Sequence, residues 1–254
     1  MNMKWWFIKT IQATRFYPVV RWGWRTFDKL HFLRRRREQN FFGQFVRPND
    51  LVFDVGACFG EKTSIFLKLG ARVVAIEPAT ASLAELRHKF ANDPRVAIIP
   101  YAASAKNGWG SLAICEQEPA ITTMSKSWVT HSRFAKDFRW TRVQKIPLVT
   151  LNTLIQKYGQ PAFCKIDVEG YETNVLHGLT TSLPLISFEF HRELLNNTFK
   201  SLRYLDSLGQ VHFNYTAYDS MHFLLPRWLD YRSLSKHLSA QTDRYLWGDI
   251  YAKL

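Results

Sequence analysis

The feature that most constrains this chain is the stretch LVFDVGACFG at residues 51–60, followed by RVVAIE at residues 72–77. The apolar start reads as a short buried strand running into Asp54, after which Gly56 and Gly60 let the backbone turn tightly and come close to a ligand. Glu77 ends the next strand roughly 20 residues on, the spacing of a nucleoside-binding crevice in an open parallel sheet. At that strand end its carboxylate is expected to accept hydrogen bonds from both ribose hydroxyls. The competing reading of Glu77 is a first-turn helix acid ahead of Pro78.

Spacing excludes a triphosphate loop. In GACFGEKT, residues 56–63, three residues separate the glycines where four are needed, and Glu61 in place of lysine puts an anion where phosphates would lie. A helix is expected over residues 62–68, closed by Gly70, then the strand at residues 72–76, a helix over residues 82–90 and a strand at residues 96–99. The glycine turn alone does not separate a nicotinamide dehydrogenase from a methyltransferase.

The 254 residues, 46% hydrophobic and 22% charged, suit one α/β domain with extensions. Cys58, Cys115 and Cys164 form no spaced framework, which favours free thiols in a reducing compartment and gives no sign of zinc. No apolar run approaches the roughly 18 residues of a membrane span, and the N-terminus lacks a leader pattern, so the expected location is cytoplasmic.

Most of the net charge of +13 lies in residues 1–47, where eleven Lys or Arg face Asp28 and Glu38 and twelve aromatic residues are interleaved. This arm reads either as an interfacial helix at an anionic membrane or as a helical piece packing its aromatics on its own domain or a second subunit. The packing reading is the commoner outcome for such a pattern, and a basic run is a weak sign of nucleic acid.

The second half adds two pairs of ionisable groups. Residues 162–166 form a short apolar strand with Asp167 and Glu169 two apart beyond it, sharing one side if the extended geometry continues. Residues 185–188 form another, followed by Glu189 and His191. Ligands in open α/β sheets bind outside the carboxyl ends of strands, so both pairs should converge on the crevice. The plainer alternatives are a helix cap for Asp167 or Glu169 and a surface histidine at 191.

The stretches LVTLNTLI (148–155) and PAFCKIDVEGYETNVLHG (161–178), with FDVGA (53–57) and AIEP (75–78), resemble the FkbM-like family of S-adenosylmethionine-dependent methyltransferases. The resemblance implies a Rossmann-like class I methyltransferase fold, an α/β architecture with a seven-stranded, mostly parallel sheet and an antiparallel last strand. The division expected is an N-terminal helical arm over 1–47 and a methyltransferase domain over 48–254. It also implies S-adenosylmethionine as cofactor and methyl transfer mostly to oxygen on sugars, glycans or secondary metabolites. Cofactor contacts are expected from Asp54, Gly56, Ala57 and Gly60 in the turn, Thr63 in the helix, and Glu77, Pro78 and Ala102 after later strands. Cys58, Asn152 and residues 79–81 depart from the family's usual residues.

A sulfonium already activates its methyl group, so the protein must chiefly align an acceptor and remove its proton. Glu189 or His191 is the expected base, with Asp167 and Glu169 orienting the acceptor hydroxyl or the cofactor's amino group. Magnesium held by the carboxylates is the less favoured alternative, since no spacing is diagnostic of a metal, and no metal ligands are assigned. Residues 104–145 and 220–244 are expected to choose a small-molecule or carbohydrate acceptor, the second as a lid carrying Arg227, Arg232, His237 and Arg244. The competing function is a non-catalytic cofactor-binding module whose basic arm docks to a membrane or polymer. A base-methylating RNA enzyme is disfavoured, because KIDVE at residues 165–169 stands where an Asn-Pro-Pro-Tyr-like motif would be.

Overall fold

A computed structural model describes residues 29–209 and 211–254, so the expectations for the arm before residue 29 lie outside the described residues. The described residues begin with helix α1 (Lys29–Phe42), then alternate β1 (Leu51–Val55), α2 (Glu61–Lys68), β2 (Arg72–Ile76), α3 (Thr80–Phe90) and β3 (Val96–Ile99). Next come β4 (Ala102–Ala103), β5 (Gly108–Ile114), α4 (Lys126–His131), β6 (Arg142–Val149) and α5 (Leu151–Tyr158). The second half holds β7 (Phe163–Ile166), α6 (Glu172–Leu176), β8 (Leu185–His191), α7 (Leu195–Leu208), β9 (His212–Tyr215), α8 (Tyr231–Ala240) and β10 (Trp247–Lys253).

Seven strands form one sheet in the order β3-β2-β1-β7-β8-β10-β9. All pairs are parallel except those of β10, which runs antiparallel to both β8 and β9. This is the Rossmann-like class I arrangement expected from the sequence. The strand order reverses between β1 and β7, which opens a crevice at their carboxyl ends, where such sheets bind ligands.

Alternation along β1 explains why this run is apolar but for Asp54. Leu51, Phe53 and Val55 enter one core cluster and Val52 enters the cluster on the opposite face. A strand covered on both faces needs apolar residues at nearly every position. The one polar residue of β1, Asp54, lies at its carboxyl end.

The opposite face is filled largely by rings: Phe42 meets Phe66 edge-on at 5.1 Å, and Phe41, Phe163 and Tyr251 join them. Through Phe41, Phe42 and Val46, the end of α1 and the segment after it are built into this core. Lys62 of α2 holds the buried Glu38 of α1 at 2.6 Å, which fastens the two helices side by side.

Residues 104–145 hold strand β5, helix α4 and the start of β6. β5 pairs antiparallel with β6, and β4 pairs parallel with β6, as a second, three-stranded sheet. The polar start of β6, RVQK, conceals a strand whose outer half is exposed, because its alternation places only Ile146, Leu148 and Val149 in the interior.

Candidate active site

The glycine turn leaves β1 with Gly56 at φ +82° and Gly60 at φ +70°. A Cβ on Gly56 would lie 1.8 Å from the backbone oxygen of Asp167, so the turn and the segment after β7 touch here as only glycine permits. The Gly56 and Ala57 amides donate to Ile76 O at 2.9 and 3.1 Å, tying the turn to the end of β2.

Glu77 is reached from both sides by backbone. The Cys58 amide donates to its Oε2 at 2.8 Å and the Ala79 amide to its Oε1 at 2.7 Å. Burial nevertheless dominates and pushes the carboxyl up to about 7. Behind the turn, Thr63 Oγ1 donates to Asp54 Oδ2 at 2.5 Å. Burial raises the Asp54 pKa against that bond.

A cleft of about 550 Å³, open to solvent, lies over these elements, with Gly56, Cys58, Glu77, Pro78, Ala102, Asp167 and Glu169 on its walls. Of the expected cofactor residues, Gly56, Glu77, Pro78 and Ala102 line this cleft, whereas Asp54, Ala57, Gly60 and Thr63 do not. Asp54 and Thr63 satisfy each other beneath the turn.

The Lys165 ammonium donates to Asp167 Oδ2 at 2.8 Å and lies 3.6 Å from Asp249 on β10. Burial opposes ionisation of Asp167, but Lys165 outweighs it and holds the carboxyl below its ordinary range. Extended geometry does not carry on to Glu169, which sits at φ +57° in the left-handed region. Shared strand alternation therefore does not aim Asp167 and Glu169 together, contrary to the sequence expectation. Glu172 closes this turn, its Oε1 accepting from the Val168 and Gly170 amides at 3.2 and 3.0 Å. Neither Asp167 nor Glu169 caps α6 with its side chain.

β8 continues through His191, so Glu189 and His191 do share one side of an extended strand. His191 Nε2 lies 3.0 Å from Glu189 Oε2, and the side chains are 6% and 11% exposed. Ligand-type atoms of Glu169, Glu189 and His191 all lie within 4.8 Å of one another. Glu169, on the wall of the cleft, thus stands beside a smaller pocket, about 260 Å³ and partly open to solvent, lined by Glu172, Glu189 and His191. Burial, then the neighbouring charges of Glu189, Asp167 and Glu172, raise the Glu169 pKa well above the ordinary carboxylate range. Burial also raises Glu189, with His191 acting against it, while Glu189 overcomes the desolvation of His191 and raises the imidazole pKa.

The methyltransferase FkbM domain profile matches residues 54–214, more than half of the chain, and spans both the glycine turn and the acidic cluster. The chain belongs to the FkbM methyltransferase family. No curated protein matches this FkbM methyltransferase. Solved structures similar to it include a precorrin-6y C5,15-methyltransferase from Geobacter metallireducens, 10% identical, covering 87% of this chain and 86% of that one at a TM-score of 0.46. Another is Aeropyrum pernix fibrillarin in complex with S-adenosyl-L-methionine, 12% identical, covering 82% of this chain and 68% of that one at a TM-score of 0.42. Among the described residues of the FkbM methyltransferase no helix is long and apolar enough to cross a membrane.

Two residues assigned no role from the sequence, Lys165 and Asp249, and two from the expected acceptor-facing segment, Trp128 and Arg133, pack around the site of this FkbM methyltransferase. Lys165 and Asp249 fix Asp167, and the available signal was a lysine inside an otherwise apolar four-residue strand, FCKI. Trp128, expected on an acceptor-facing loop, is fully buried and packs edge-on against His191 at 4.6 Å. Arg133 of the same segment makes a two-armed ion pair with Glu193, at 2.7 and 2.8 Å, directly after the β8 strand end. The second insertion differs from the expected lid. Its helix α8 buries Leu234 and Leu238 and packs on α7, and His237 meets Tyr215 Oη at 3.0 Å. Arg227, Arg232, His237 and Arg244 line neither cavity of the site.

Proposed function

We propose that residues 48–254 carry an S-adenosylmethionine-dependent O-methyltransferase whose acceptor is a hydroxyl on a sugar, glycan or secondary metabolite, with residues 1–47 as an accessory arm. The observation that carries this reading is one continuous cleft in which the Gly56 turn and Glu77 stand at one part of the wall and Asp167 and Glu169 at another. Glu169 leads from it to Glu189 and His191. The residues fit the cofactor: the turn is closed against Asp167 as only glycine permits, and each Glu77 oxygen accepts one amide yet has a further lone pair for a ribose hydroxyl.

When bound, the cofactor supplies a methyl group already activated by its sulfonium. The protein then has two tasks. Gly56, Glu77, Pro78 and Ala102 hold the nucleoside part, and Asp167, kept ionised by Lys165, suits a cationic amino group or an acceptor hydroxyl. The Glu169, Glu189 and His191 cluster receives the acceptor and takes up its proton as the new carbon–oxygen bond forms.

Incubation of the full chain with isotopically labelled S-adenosylmethionine and a cell extract, followed by mass spectrometry, tests the reading. Label on an oxygen of a small or carbohydrate acceptor is expected. Binding of S-adenosylhomocysteine without transfer to any acceptor would instead make the chain a binding module, and label on nitrogen would overturn the O-transfer assignment.

A further inference from the structure

We propose that Glu169, Glu189 and His191 form a binding site for one divalent transition-metal ion of the manganese or zinc class. The inference deepens the methyl-transfer reading, on which it rests only for what the ion would do, since the site itself follows from the donor atoms.

His191 is 6% exposed, yet neither of its ring nitrogens has a hydrogen-bond partner among the described residues, and Glu189 Oε2 likewise has none. Interior polar groups are almost always paired, so a buried imidazole with two unpaired nitrogens calls for an occupant. The Nε2 to Oε2 distance of 3.0 Å is short enough for an ion pair but is not aligned as a hydrogen bond. Two donors each about 2.1 Å from a common ion, at near right angles, lie about 3 Å apart in the same sideways manner.

The charges point the same way. Asp167, Glu169, Glu172, Glu189 and Asp249 crowd this end of the sheet, and Lys165 is committed to Asp167 and Asp249. Glu172 is committed to the Val168 and Gly170 amides. Glu169 and Glu189 are left facing each other and His191 within 4.8 Å. Buried carboxylates in such excess need either protons or a cation. One imidazole nitrogen with carboxylate oxygens is a mixed donor set, which suits borderline ions better than calcium or a thiolate-bound soft metal. Glu169 also lines the open cleft, so a further coordination position would face arriving ligand. On the methyl-transfer reading the ion would hold the acceptor hydroxyl and lower its pKa, taking the place of a free base. The donors come from two strand ends separated in sequence, which is why no ligand spacing was visible.

The test is calorimetric titration of the EDTA-treated full chain with MnCl2 and, separately, ZnCl2, with pulsed EPR of the bound manganese. One saturable site is expected, with imidazole nitrogen coupling in the spectrum. Glu169→Gln and His191→Gln should each weaken binding by about tenfold or more. Arg142→Ala, an exposed change at the start of β6, should leave it unaltered. Thermal melts of the variants guard against misfolding, and Glu169→Gln serves if His191→Gln fails to fold. The site is refuted if the folded wild type binds neither ion saturably, or if the folded ligand variants bind as the wild type does. S-adenosylhomocysteine titrated into the same samples separates the two readings. Its binding without metal binding removes only the ion, whereas metal binding without it removes the methyl-transfer reading and leaves the site standing.

Discussion

The Lys165 ammonium lies 2.8 Å from the Asp167 carboxylate and 3.6 Å from that of Asp249, while only 2% of its side chain is exposed. Burial pulls its pKa down, but Asp167 and Asp249 more than restore it, and the lysine stays charged well above its ordinary range. A cation is thereby fixed under the cleft, and Asp167 presents a carboxylate whose position and charge are both set from below.

Lys165→Met should therefore lower the unfolding free energy by about 3 kcal/mol, the low end for breaking a buried pair, because Asp167 is 35% exposed and water can relieve it. Urea denaturation monitored by far-UV circular dichroism measures this. An unchanged midpoint would mean that the pair contributes no net stability.

Gly56→Ala places a methyl group 1.8 Å from Asp167 O at φ +82°. The contact is with backbone, which cannot swing aside, so a loss of about 1–3 kcal/mol is expected. Affinity for S-adenosylhomocysteine should fall along with the melting temperature. A variant that melts and binds like the wild type would show that the close approach is absent in solution.

Glu77 supplies a pH test. Burial raises its pKa from 4.5 to about 7, so the folded protein holds this proton more tightly than the unfolded chain does. Its contribution to stability is accordingly largest below pH 4.5 and declines as pH rises towards 7. Ribose recognition by the ionised carboxylate runs the other way: affinity for S-adenosylhomocysteine should drop by roughly tenfold between pH 8 and pH 6. Calorimetry at both values, with Glu77→Gln as the pH-insensitive comparison, decides it, and a flat profile in the wild type would refute the assignment.

The Arg133–Glu193 pair joins the segment after α4 to the end of β8, with side chains 18% and 16% exposed. A double-mutant cycle should give a coupling of about 1–3 kcal/mol at neutral pH, typical of charge-assisted hydrogen bonds that are mostly buried. Burial opposes ionisation of Glu193, but the bond from Arg133 prevails and keeps its pKa below 4.5. The coupling is thus full above pH 4.5 and should vanish as pH falls through the lower folded value. Equal couplings at pH 7 and pH 3 would contradict this.

Where periodicity was strong the sequence was a good guide. β1 and β2 read directly from their apolar runs, and Glu189 and His191 do lie two apart on one strand face. The strand β6 was hidden because its outer half is solvated, so its RVQK start resembles a loop. The positive φ of Glu169 was hidden because left-handed backbone is expected at glycine or asparagine, not at glutamate. Trp128 illustrates a third difficulty: a tryptophan within a polar, basic stretch looks available to ligand, yet this one is sealed against His191. No local pattern announces which distant strand end a ring will cover.

β10 is inserted between β8 and β9, although it is the last of the three in the chain. Until residues 247–253 emerge from the ribosome, β8 and β9 have no common partner, and each leaves an open edge of amides and carbonyls facing the gap. At roughly 5–20 residues per second, that exposure lasts through synthesis of the intervening α8 segment. Assembly of this sheet therefore waits on β10, and edge-to-edge association is most favoured in the interval before that strand has emerged.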